Sequence, residues 1–228
     1  MTMGVRKHMT SVIGQILPIA IAVALSTVPI IAAILILLSD ARPFVSIALL
    51  IGWACGMALI LTAFTVGIAL IPPSAPARND TTVGVTRILL GTALLIYSIH
   101  KWRGRTKAPS TPPRWMNAIG RITTIGALGF GAALALRPKN IVLSIAGAIV
   151  IGDASLPVGD ALIVIVVFTL IGVSTVAAPI IGHFSAPEKT QHPLDVTRAL
   201  IIQNGGTIML VVTLMVSALV IGSGLAIL

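Results

Sequence analysis

The residues best suited to chemistry in this 228-residue chain are Arg137, Pro138, Lys139 and Asn140, set near the middle of a long apolar run, Thr124–Ile151. Two cations and an amide at this spacing offer no nucleophile and no general base. What they offer is attraction for an anion. A cation at the centre of a membrane helix costs about 2.5–3.5 kcal/mol on insertion scales, so such residues face a cavity, a counter-charge or the headgroups. Pro138 removes a backbone donor and clashes with the preceding turn. A broken helix at membrane depth requires protein or water around its freed carbonyls. The functional expectation is therefore a substrate-binding set of Arg137, Pro138, Lys139 and Asn140 lining a central pathway, with Pro29 at a matching position in the first apolar run. Two blander readings stand beside it. The fourth run is two half-length segments joined by a loop with both cations at the surface, or the cations form a structural buried ion pair.

The acids are few. Asp40 ends the first apolar run, Asp153 ends the fourth and Asp160 begins the fifth. Each is expected either as a helix-end charge among headgroups, or as a counter-ion for Arg137 or Lys139, or as a proton carrier in coupled transport. Arg87 and Arg198 are expected to snorkel to the interfaces, and Asp195 and Arg198 to share a helix face. Gln203 and Asn204 suit interhelical hydrogen bonding or a cavity wall, and Asn204 is counted with the substrate-binding set. The histidines lack Cys or carboxylate at ligand spacing, so no metal site is expected. No G-x-S-x-G, H-E-x-x-H or phosphate loop occurs, and neither an enzyme nor a cofactor is expected.

The elements that must position these groups follow from composition. Hydrophobic residues make up 57% and charged residues 9%, and mean hydropathy is +1.08. A soluble domain carries roughly 25% charged residues, so lipid is the solvent that this composition suits. The net charge of +9 sits mainly in one cluster beside apolar runs, which points to topology and anionic lipid rather than to nucleic acid. Cys55 lies inside an apolar run and is expected as a small packing residue.

Crossing a bilayer takes about 20 apolar residues. Runs of that kind occur at Ile13–Leu38, Phe44–Ile71, Val83–His100, Thr124–Ile151, Val158–Gly182 and Ala199–Leu225. The first is far longer than the h-region of a secretory signal and is expected as a retained helix. Gly52 and Gly56 form a G-x-x-x-G that suits close helix packing. The chain also resembles itself. Ala24 to Pro29 matches Ala133 to Pro138, Leu50-Ile51-Gly52 matches Leu170-Ile171-Gly172, and Val85-Thr86-Arg87 matches Val196-Thr197-Arg198, in the same order. The fold expected is an all-α membrane protein of six transmembrane helices, built as two inverted three-helix repeats. Residues 1–100 form the first repeat, 101–121 a basic loop and 122–228 the second repeat. The loop holds Lys101, Arg103, Arg105, Lys107, Arg114 and Arg121 with no acid, so it is expected in the cytoplasm with both termini outside.

The residues from Pro18 to Ile31, Lys101-Trp102-Arg103, Pro113-Arg114-Trp115-Met116, Arg137-Pro138-Lys139-Asn140-Ile141 and Asn204 to Met209 resemble the mycobacterial peptidoglycolipid- and sulfolipid-addressing proteins of the lysine-exporter superfamily. Arg137 stands where that family usually has Asn, and Gly205 where it has a second Asn. The resemblance covers nearly the whole chain. It implies a multi-pass plasma-membrane protein that exports a surface glycolipid with an anionic or sugar-rich headgroup, or assists that export. Its implied partners are membrane lipids, the glycolipid, a larger lipid synthesis and export complex, and a second copy in a homo-oligomer. An exporter of a small solute, such as an amino acid or a cation, is the alternative. A non-transporting subunit of a lipid export complex is another.

Overall fold

The computed structural model describes residues 2–39, 44–71, 80–103, 122–154 and 156–228. Among them the chain forms eight helices: α1 (Thr2–Ala24), α2 (Thr27–Leu37), α3 (Phe44–Ala69), α4 (Asp80–Arg103), α5 (Thr124–Ala135), α6 (Pro138–Asp153), α7 (Val158–Ser185) and α8 (Pro187–Leu225). Helices α3, α4 and α7 are each long and apolar enough to cross a membrane. Two bent pairs, α1 with α2 at 50° and α5 with α6 at 63°, are each apolar enough to cross if the pair is taken as one span, which gives three to five candidate spans among the described residues. The expected sixth span falls on α8, which carries the apolar stretch Leu210–Leu225. The expected loop at 101–121 lies almost wholly outside the described residues, as does Asp40.

Both bends have a cause in the sequence. In α2, Pro29 has no N–H to give to the Leu25 carbonyl, and its ring crowds that carbonyl, so the helix cannot run through. The backbone tightens instead, with Ser26 N–H donating to Val23 O at 3.1 Å. In α6, Pro138 takes the first helical position, where a missing N–H is harmless. The residue before a proline is driven out of the helical region, and Arg137 is extended at φ −67°, ψ 142°. One proline breaks its helix four residues upstream, the other at its own doorstep.

The core is packed between helices rather than inside any one of them. α3 lies along α5 and α6, α1 along α7, and α4 along α8. Small residues permit the closest approaches. A Cβ on Gly52 would meet the carbonyl of Leu128 on α5, and a Cβ on Gly131 would meet the carbonyl of Leu49 on α3. The G-x-x-x-G is thus used against α5. Gly84 and Gly224 do the same for α4 and α8. Trp53, Phe168, Met57 and Leu49 fill the interior. Large apolar residues such as Leu59, Leu89, Ile96, Leu170 and Met215 face outward, as a helix bundle solvated by lipid requires. Cys55 is exposed on α3, which corrects the expectation that it packs inside: it lies on the outward face of the helix whose inward face carries Gly52.

Candidate functional site

The two breaks meet. Breaking α1 frees the last carbonyls of that half-helix, and freed carbonyls at depth need donors. Lys139 supplies one: its ammonium donates to Ala22 O at 2.8 Å. Thr175 on α7 supplies another, its hydroxyl donating to Ala24 O. A cation at a helix C-terminus also opposes the negative end of the helix dipole. Lys139 is 7% exposed, so the charge sits fully inside the bundle against the end of α1.

Asn140 ties the breaks to each other. Its Nδ2 donates back over the break of its own pair to Leu134 O at 3.0 Å. Its Oδ1 accepts from the Ser26 hydroxyl, at the other break, at 3.2 Å. Asn140 is 1% exposed and Ser26 7%. In a dry interior an unmet partner of either would be expensive, so this amide fixes the two breaks at one level of the bundle.

A polar cavity of about 80 Å³ opens at this junction, lined by Ser26, Thr27, Val28, Tyr97, Arg137, Lys139 and Asn140. Its walls come from the first turns of both α2 and α6. The first four N–H groups of a helix lack intrahelical acceptors, and that end carries partial positive charge. Arg137 adds a full one. Unlike Lys139, it is exposed. The junction is therefore an electropositive recess with a fixed cation inside and an accessible one at its rim.

Of the residues expected from sequence, the structure brings Arg137, Lys139 and Asn140 to one cavity, with Pro138 shaping it. The blander reading that puts both cations at the surface holds for Arg137 and is corrected for Lys139, because the Pro138 turn aims the neighbouring side chains in different directions. Pro29 is buried on α2 and acts by breaking the helix. Asn204 is exposed on α8 and does not line the recess. Asp160 sits in the first turn of α7, where a negative charge suits the helix dipole. The counter-ion expectation for Asp153 is corrected: its partner is Arg87, at 3.0 Å, and not Arg137 or Lys139. The same pair corrects the reading of Arg87 as snorkelling, since its side chain is only 11% exposed. Asp153 ends α6 within reach of the second turn of α4, so the two charges satisfy each other. Ser26, Thr175 and Tyr97 were missed. Ser26 and Thr175 had a usable signal, because carbonyls released upstream of Pro29 must find donors.

Several helices this apolar, with two bent pairs that meet at a polar junction, define a multi-pass membrane protein. The chain belongs to the family described as Sap, sulfolipid-1-addressing protein, whose family model matches residues 16–226. No curated protein and no solved structure matches it. The family description names a sulfolipid as what its members address.

Proposed function

We propose that this protein exports a surface glycolipid, or serves as an accessory to its export, and that an anionic group of the headgroup meets Arg137 at the junction of the two broken helices. The observation that carries this reading is the recess itself, where the first turns of α2 and α6, Arg137 and the buried Lys139 converge. Its volume of about 80 Å³ is far below the roughly 300–1,000 Å³ of a drug-sized ligand site. It therefore suits one compact charged substituent, with the sugar outside it and the chains in lipid. Lys139 holds α1 in place, and Arg137 is free to meet the substrate.

The mechanism goes with six spans in two inverted halves, the plan of many carriers that expose one central site alternately to each side. Support comes from how the helices pair. α1 packs on α7 as α3 packs on α5, each a first half-helix against the middle helix of the opposite half, and α4 packs on α8, the last of each half. The two bends fall near residues 25 and 136, at matching places in the repeated segments. On this reading both termini lie outside the plasma membrane.

The small size of the recess favours one competing reading, an exporter of a small solute such as an amino acid. Deletion of the gene, followed by comparison of total with surface-exposed lipids, tests the choice. A glycolipid that is made but does not reach the surface is the expected result. Unchanged surface lipid, with altered accumulation of a water-soluble solute, selects the competitor.

A further inference from the structure

A second polar feature lies away from the breaks. A cavity of about 220 Å³ sits between α1, α4, α6 and α8, with Gln15, Pro18, Ile19, Arg87, Val150 and Val220 among its lining residues. No residue of either break contributes to it. Most of its wall is apolar, and Arg87 brings the charge. Arg87 Nη2 donates to Asp153 Oδ2 at 3.0 Å, but its buried Nε has no hydrogen-bond partner among the described residues. A guanidinium has five N–H donors in a fixed fork, and burying one of them unmet is unfavourable. Asp153 is the last residue of α6, so the pair sits at the end of an apolar helix. On the rim, Gly14, Gln15 and Leu219 are exposed.

We infer that this cavity holds an anionic glycerophospholipid of the surrounding bilayer, its phosphate bound by Arg87 in competition with Asp153 and the start of an acyl chain lying against Pro18, Ile19, Val150 and Val220. Charge and shape both point to this occupant. Among the described residues that line the cavity the only charged one is Arg87, a phosphate is the natural bidentate partner of a guanidinium, and the apolar remainder continues outward to the lipid-facing side. A free anion would leave that apolar wall unused, and a neutral lipid would leave the guanidinium with Asp153 as its one anionic partner. The site is independent of the substrate reading at the breaks.

Native mass spectrometry of the full chain in a neutral detergent tests it, with phosphatidylglycerol and phosphatidylcholine of matched chains offered together, and inorganic phosphate as competitor. The wild type should retain phosphatidylglycerol about tenfold over phosphatidylcholine, as expected for one charge-assisted contact, and excess phosphate should not displace it. Arg87→Gln should equalise the two lipids. Asp153→Asn, which frees the guanidinium from its competitor, should raise phosphatidylglycerol retention, a gain that misfolding cannot imitate. Equal retention by the wild type, displacement by inorganic phosphate, or no gain in Asp153→Asn overturns the inference. None of these outcomes depends on Arg137.

Discussion

The Ser26 hydroxyl donates to Asn140 Oδ1 at 3.2 Å, joining the two helix breaks through residues that lie 114 apart in the chain. With the second bond of Asn140, to Leu134 O, it makes this amide the link between the bent crossings. Asn140→Leu keeps the volume and loses both bonds, leaving the Ser26 hydroxyl unmet and Leu134 O with only the longer bond from Arg137 N–H, at 3.4 Å. It should destabilise the protein by about 2 kcal/mol, and Ser26→Ala by under about 1 kcal/mol. Unfolding in mixed micelles measures both, and equal effects would contradict the linking role.

The contact of α3 with α5 depends on the absence of a side chain at position 52. Gly52→Val would drive its methyl groups into the α5 backbone and should cost about 2–3 kcal/mol as overpacking. Gly67 on the same helix has open space around it. Gly67→Ala should be neutral or favourable by up to about 1 kcal/mol. The same unfolding measurement, run on both variants, checks the contrast.

Cytoplasmic placement of the basic segment has its own test. In a Cys55→Ala background, Ser110→Cys should react with an impermeant maleimide in inverted vesicles and not in intact cells. The reverse pattern would invert the topology.

Much of this architecture was legible in the sequence, because apolar length reports membrane crossings and proline reports breaks. Phe44–Ile71 and Val158–Gly182 correspond to α3 and α7 nearly end to end. Arg137 to Asn140 stood out because charge inside an apolar run demands a reason. What periodicity does not carry is the direction of a side chain after a break. Arg137 and Lys139 are two residues apart, yet one is exposed and the other buried, a difference created by the extended backbone at Arg137. Pairings across the bundle were hidden for a related reason. Asp153 could be matched in sequence to several cations, and only the approach of α4 to α6 selects Arg87.

Lys139 and Arg137 should separate in function. Lys139→Gln weakens the contact with Ala22 O and with it the seat of α1, so both stability and export should fall, export by about tenfold or more. An unfolding titration and a surface-lipid assay on the same variant check this. Loss of export at full stability would assign Lys139 to the substrate instead.

The central claim is that Arg137 itself meets an anionic headgroup, and the most direct measurement is the ratio of surface-exposed to total glycolipid in cells whose only copy of the protein carries Arg137→Gln. Because Arg137 is exposed at the rim of the recess, protein level and stability should match the wild type. The surface fraction should drop about tenfold or more, with partial recovery in Arg137→Lys, whose point charge replaces the planar fork imperfectly. A surface fraction equal to the wild type in Arg137→Gln, at equal protein level, would contradict the account.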